Sequence, residues 1–295
     1  MSDNQITNMY NFNGCEVIKD GPKEQRHKYI MDKLQEHYDE AKTLGYEIFA
    51  IIVQGSQNYG LDVYKEEYTS DVDTKCIVIP ALEDIVKNKQ PISYTHERAN
   101  TEHIDMKDIR VMFDTFRKQN VNFVEVLFSD YFIVNEKYKD LWEELTSIAE
   151  DIVHAHPSQT VKTMAGMSME KYKALKHPYP TIKWKIDKWG YDGKQLHHII
   201  RINDFMRQYI NSVPFKQCLL PSTAGGVDMM MKAKLNVYSL EEAEILAGKF
   251  DYDTNEMKKQ FIEKYGENKI NIEAYNRLDE IKYKVIERKL REDLK

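Results

Sequence analysis

The sequence predicts an α+β fold in which a strand-bearing domain, residues 1–134, precedes an α-helical domain, residues 135–295. Three observations carry this expectation. Two apolar runs of strand character stand early in the chain, at about 46–54 and 72–79. Short strand-like and helix-like pieces alternate up to about residue 134. From Asn135 onward nearly every segment has helical periodicity, interrupted only at HPYPT, SVPF and STAGGVD. Strands with helices first and helices afterwards read as an α/β domain followed by a helical one.

A chain of 295 residues can bury a sizeable core, and its length suggests two domains. It is 42% hydrophobic and 31% charged, without low-complexity tracts or internal repeats. The first residues, MSDNQITNMYNFNG, lack the basic-then-apolar pattern of a signal peptide. No apolar run approaches the ~20 residues of a membrane span, and a cytoplasmic protein is expected. Three scattered cysteines, Cys15, Cys76 and Cys218, fit neither a disulfide framework nor a zinc site. The net charge of −6 argues against a general polyanion binder.

Element by element, residues from Pro22 to about Leu44 have helical periodicity through Tyr29, Ile30, Leu34, Tyr38 and Ala41, with Gly45 as the stop. Tyr46 to Val53 is rich in β-branched and aromatic side chains and reads as a buried strand. LDVYKEEYTS reads as a connection, VDTKCIVIP as a second strand stopped by Pro80, and ALEDIVKNK as a short helix. Strand residues are expected around 102–106. Beyond Asp108, apolar residues at 109, 112, 113, 116, 121, 124, 127 and 128 give a helix in two pieces. The C-terminal RLDEIKYKVIERKLREDLK alternates charge and reads as a solvent-facing helix.

Chemistry concentrates where the two strands end and begin. Gly55 follows the first strand, and a glycine there lets the backbone turn sharply and approach a ligand closely. The Ser56 hydroxyl with the free N–H groups of a short helix would cradle phosphate. Asp71 and Asp73 stand two apart in extended chain, so both carboxylates face the same way. Such a pair suits magnesium, which takes one or two carboxylates plus substrate phosphates. Phosphate cradle and metal pair together suit in-line attack at a phosphoryl group with two metals. A third acid is expected on the strand-like Glu102-His103-Ile104-Asp105-Met106. Asp105 is the choice and Glu102 the alternative on the opposite face. Taken singly, the Gly-Ser is also an ordinary turn and Ser70-Asp71 a capping pair.

VQGSQNYGL followed by SDVDTKCIVI resembles the signature of the polymerase-β-like nucleotidyltransferases. IDMKDIRVMFDTFRKQNVNFVEVLFSD, with its Asn120-x-Asn122-x-x-Glu125-x-Leu127-Phe128, resembles a narrower branch of predicted bacterial and phage nucleotidyltransferases found beside RNA ligases. AGMSMEKYKAL and YDGKQLHHIIRI are similar to its helical half, so the likeness spans roughly 46–210. Two departures are a long stretch between Ser56 and Asp71 and Asn-Val at 120–121 where the branch often has Asn-Pro. The resemblance implies a polymerase-β-like core with a small mixed sheet, then an α-helical domain covering the active site. It implies that Gly55 and Ser56 hold the triphosphate of an NTP, with ATP favoured. Asp71, Asp73 and Asp105 would form a two-metal site for Mg2+ or Mn2+. The implied reaction moves a nucleoside monophosphate to a hydroxyl acceptor, RNA ahead of protein, and releases pyrophosphate. The competing reading is a non-catalytic nucleotide- or RNA-binding regulator with the same fold.

In the second half, Lys194, His198 and Arg201 stand at i, i+4 and i+7 on one helical face, a stripe suited to phosphate oxygens or equally to an amphipathic surface. Lys162, Lys171 and Lys173 are weaker candidates for the same task. From Val161 to Arg207, ten Lys/Arg face four acids, a local net of +6, interleaved with Tyr172, Tyr179, Trp184, Trp189 and Tyr191. That composition fits solvated helix faces with core aromatics, or a nucleic-acid surface with stacking partners. His154 and His156 lack a third ligand nearby and read as structural.

Overall fold

The computed structural model describes residues 23–295 apart from 66, 67, 100 and 268. The polar N-terminal stretch, Cys15 and Pro22 lie outside the described residues. Helix α1 (Lys23–Thr43) leads through Gly45 into strand β1 (Glu47–Gln54). A single turn, α2 (Ser56–Tyr59), follows. The expected plain connection at 62–70 holds a small hairpin, β2 (Tyr64–Lys65) with β3 (Tyr68–Thr69). Strand β4 (Asp73–Ile79), the short helix α3 (Leu82–Val86), β5 (Ser93–Glu97) and β6 (His103–Asp108) come next. Helices α4 (Ile109–Arg117) and α5 (Val121–Val124), a 3-10 turn at Glu125–Phe128 and β7 (Phe132–Val134) complete the strand-bearing stretch.

The five main strands lie in the order β5-β6-β4-β1-β7. Only β4 and β6 run parallel; the other pairs are antiparallel, so the sheet is mixed. β1 is buried along its whole interior, which is why it reads as a continuous apolar run rather than an alternating one. On one face Ile51 and Val53 join Tyr29, Ile30 and Leu34 of α1 in a core with Val72, Cys76, Val78, Ile104 and Met106. On the other, Phe49 packs edge-on against Tyr138 and Trp142, with ring centroids 6.1 and 5.9 Å away. A register shift between Ile48 and Ala50 turns Ile48 back to the α1 face despite its odd spacing from Ile51.

From residue 139 the described chain is helical: α6 (Lys139–Ser147), α7 (Ala149–Val153), α8 (Pro157–Ala174), α9 (Lys183–Trp189), α10 (Gly193–Ile210), α11 (Phe215–Cys218), α12 (Ala224–Lys234), α13 (Leu240–Tyr265) and α14 (Ile272–Asp293). The α+β architecture, a mixed sheet with helices followed by a helical region, is the one the sequence predicts. The compact units divide differently from the boundary at 134/135. One holds residues up to 118, 122–155 and 271–295; the other holds 119–121 and 156–270.

The reason is α14. Its charge alternation suggested a solvent-facing helix, but Ala274, Tyr275, Leu278, Ile281 and Val285 form a buried stripe at helical spacing. That stripe packs on α4, α6 and α7. The Tyr275 hydroxyl donates to the Arg117 carbonyl at 2.9 Å, and Arg288 makes a bidentate pair with Asp140 at 2.7 and 2.8 Å. The C-terminal helix thus belongs to the sheet-bearing unit.

In the helical unit α8, α10 and α13 pack on one another and α12 lies along α10. Asp192 caps α10 by accepting from the Lys194 N–H at 3.2 Å. Gly193 follows because α12 approaches too closely for a side chain: a Cβ there would lie 2.1 Å from the Ala233 carbonyl oxygen. Gly193→Ala therefore forces backbone apart. We expect it to destabilise the helical unit by about 2 kcal/mol or more, the usual scale of overpacking, read as a lower thermal midpoint in circular dichroism. An unchanged midpoint would mean that α12 yields freely.

Candidate active site

The register of β1 on β4 pairs Gln54 with Asp73, so the turn after β1 stands beside the acids that lead β4. Gly55 has φ 93° and ψ −149°, a conformation essentially reserved for glycine, and it starts the turn α2. Two side chains of that turn fasten it. Gln57, buried, donates to the Asp71 carbonyl at 2.8 Å, and Asn58 donates to the Val53 carbonyl at 2.8 Å. A third, the Tyr59 hydroxyl, donates to Glu125 at 2.5 Å. The Gly-Ser turn is therefore bonded both to the aspartate-bearing segment and to the segment at 125–128.

Alternation along β4 divides its side chains. Val72, Thr74, Cys76 and Val78 point to α1, where Thr74 Oγ1 lies 2.9 Å from His37 Nδ1. Asp71, exposed, and Asp73, half-buried, take the opposite sense with Lys75. The parallel partner β6 sets Asp105 against Lys75. The Lys75 ammonium lies 3.0 Å from the Asp105 carboxylate, and Lys107 approaches the same carboxylate at 3.4 Å. Asp73 accepts from the His103 backbone N–H at 2.9 Å. Asp73 and Asp105 thus share one face of neighbouring strands.

Glu102 lies on the other side. It is buried among His37 at 3.1 Å, Arg98 at 2.8 Å and Lys33 at 3.6 Å, a charge network under α1. Of the two acids weighed from the sequence, Asp105 is the one beside Asp73.

Lys75 is the feature the sequence reading passed over. Its side chain is only 6% exposed, and its ammonium sits 3.8 Å from the Phe123 ring centroid, in cation–π range. Burial lowers its pKa and the Asp105 charge opposes that fall. Glu125 also lies within electrostatic reach. The sequence signal was a lysine inside an otherwise apolar strand, two residues after Asp73. Glu125 was visible only as a family-like residue without a role.

Among the described residues no three His, Cys, Asp or Glu side chains gather at metal-binding distance. Asp105 is engaged by Lys75 and Lys107; Asp71 and Asp73 are the acid pair whose donor chemistry suits a cation. Two carboxylates with substrate phosphates are a normal magnesium donor set, so the pair fits one such ion. A third contribution from Asp105 requires its pair with Lys75 to open.

In the helical unit the expected stripe tilts inward: Lys194 is exposed, His198 half-buried and Arg201 buried. His197 is the inward histidine. Its Nδ1 donates to the Met230 carbonyl at 3.0 Å. His154 pairs with Glu150 at 3.3 Å and His156 bonds the Glu267 carbonyl at 3.0 Å, structural roles as read from the sequence.

Asp105→Asn strands a buried lysine and should destabilise by about 3 kcal/mol, whereas Lys75→Met/Asp105→Asn should recover much of it; urea unfolding of the set gives the coupling, and strict additivity would refute a buried pair. Burial, then the Lys234 charge, lowers the His197 pKa from 6.5 to about 3. The unfolded chain takes the proton first, so stability is full above pH 6.5 and is lost progressively as pH falls towards 3. His197→Gln should flatten that slope in pH-dependent unfolding.

The sequence model of the RNA repair pathway DNA polymerase beta family matches residues 26–203, more than half of the chain. The match takes in the Gly55 turn, the acids of β4 and β6, and helices α8 and α9. No curated protein and no solved structure matches. Among the described residues no helix is long and apolar enough to cross a membrane. The chain belongs to the RNA repair pathway DNA polymerase beta family.

Proposed function

We propose that the protein transfers a nucleoside monophosphate from an NTP, ATP favoured, to a hydroxyl at an RNA end, with release of pyrophosphate. Family membership suggests a nucleotidyltransferase role in RNA repair. The observation that carries the finer reading is the meeting of two strand ends. Gln54 opposite Asp73, with Gln57 bonded to the Asp71 carbonyl, sets the Gly-Ser turn beside the aspartate pair.

In this reading the backbone after Gly55 and the Ser56 hydroxyl hold the β- and γ-phosphates. Asp71 and Asp73 would hold Mg2+ or Mn2+, whose charge, when bound, would offset that of the triphosphate. The acceptor oxygen attacks the α-phosphorus, the bond to pyrophosphate breaks, and the hydroxyl proton passes to Asp105. Asp105 would take that proton as Lys75 and Lys107 loosen their hold on its two oxygens, so their movement would ready the base. In the helical unit, of the Lys194, His198 and Arg201 stripe only Lys194 is exposed, and it is proposed as a contact to the phosphate backbone of the RNA acceptor.

The test is incubation with magnesium and each α-labelled NTP in the presence of total RNA and lysate protein. Wild type should transfer label to RNA, and Asp71→Ala/Asp73→Ala should lower the rate about a thousand-fold, several kcal/mol of barrier. Label on protein instead would change the acceptor but keep the reaction. Nucleotide binding equal in both proteins with no transfer by either would put the regulatory reading in its place.

A further inference from the structure

We infer that residues 171–189 of the helical unit form a docking surface for single-stranded RNA, with bases stacked on Tyr179 and Trp184. The choice of RNA rests on the acceptor proposed above; the surface itself rests on the following observations.

Helix α9 buries none of its seven residues, although two of them are tryptophan. Trp184 is 57% exposed, Tyr179 49% and Tyr172 44%. Large aromatic side chains normally go to a core, because each removes a large apolar area from water. Here they stand in solvent and are held in place. Pro178 and Pro180 flank Tyr179 and fix the chain on both sides. The Tyr179 N–H donates to the His177 carbonyl at 2.9 Å, and the Ile182 N–H to the Tyr179 carbonyl at 3.0 Å. The rings are paired: His177 with Tyr179 at 4.2 Å and Trp184 with Trp189 at 5.5 Å between centroids. A preorganised ring loses little entropy when a ligand stacks on it.

The charge around these rings selects the ligand. From 171 to 188 there are six lysines (171, 173, 176, 183, 185, 188) and one acid, Asp187, a net of +5 in a chain whose total is −6. Lys185 and Lys188 lie over the rings of Trp184 and Trp189 at 5.8 and 4.4 Å. Lys176, Lys183 and Lys185 are paired with Glu244, Asp187 and Asp192. Lys171, Lys173 and Lys188 carry no ion pair among the described residues and are the cations available to a phosphate backbone. Exposed ring faces beside lysines are the combination that binds unpaired strands, whose bases have free faces. A duplex hides those faces, so it is a poorer fit.

The test measures binding alone, without nucleotide: fluorescence anisotropy of a labelled single-stranded RNA oligonucleotide and of its duplex, on the full chain at low and physiological salt. Wild type should prefer the single strand and weaken steeply with salt. Tyr179→Ala/Trp184→Ala should bind about 10- to 100-fold more weakly, the loss typical of one or two stacked bases. Trp184→Phe should retain most affinity. Thermal unfolding of the double variant should match wild type, since both rings are exposed. Equal RNA affinity in wild type and Tyr179→Ala/Trp184→Ala would overturn the inference, as would absence of wild-type binding or an equal preference for duplex. If binding follows the aromatic residues but no NTP gives transfer, the surface stands and the reaction falls.

Discussion

The site depends on one constraint, the two-residue repeat of β4. A strand whose even members must fill the core under α1 has no choice about its odd members. With Val72, Cys76 and Val78 in the core, Asp71, Asp73 and Lys75 are driven to the opposite sense together. A one-residue slip would turn Asp73 and Lys75 beneath α1, so register is strongly determined. The same constraint reaches the neighbours. Antiparallel pairing brings the Gly55 turn to Asp73, and parallel pairing brings Asp105 to Lys75. Two hydrogen-bond ladders therefore assemble from three separate stretches what no local sequence holds.

Both faces of the sheet near these strand ends carry buried charge. Beneath α1, Glu102 is shared by Lys33, His37 and Arg98. On the other face Asp105 is shared by Lys75 and Lys107, with Phe123 covering the lysines. Such pairs are poor stabilisers, because desolvating two charges offsets most of their attraction, and apolar substitutes of similar size do as well. Their value lies in direction. A lysine fixed under a phenylalanine ring holds a carboxylate at a defined place, where a leucine could not. The cluster at Glu102 fastens α1 to the strand ends; the one at Asp105 faces the aspartate pair.

Much of this was legible in the sequence, and the limits are physical. Gly55-Ser56 and Asp71-x-Asp73 could be read because local geometry determines them: a glycine-only backbone after a strand and a two-residue alternation. Between Asp105 and Glu102 the sequence could name candidates of opposite parity, but the deciding fact is the pairing of β6 on β4, a non-local contact. Lys75 escaped for the same reason, since a lone lysine in a strand acquires meaning only from its partner across the ladder. Strand β5, SYTHE, lies exposed at the sheet edge and shows no burial alternation to detect. Helix α14 displayed its stripe at 274, 278, 281 and 285, but its partners on α4 lie more than 150 residues earlier, and the charge alternation drew the eye.

Charge at the site then bears on how a nucleotide could approach. Around the Gly-Ser turn stand Asp62, Asp71, Asp73, Asp105 and Glu125 against Arg26, Lys75 and Lys107, five acids to three bases, a net of −2. A triphosphate is itself strongly anionic, so this face alone repels it at long range. Hydrogen bonds from a serine and a few backbone N–H groups act only at contact and cannot reverse that approach. On the proposed reading a divalent cation, taken up first by Asp71 and Asp73 or brought by the nucleotide, would offset that repulsion. The two lysines do not serve that attraction, because one is buried on Asp105 and both are held at its carboxylate. Their placement instead keeps a third carboxylate from adding its full charge to the face before a cation is present. The acid pair, the restrained third acid and the Gly-Ser turn are thus one electrostatic arrangement, in which the proposed cation would have to be in place no later than the triphosphate.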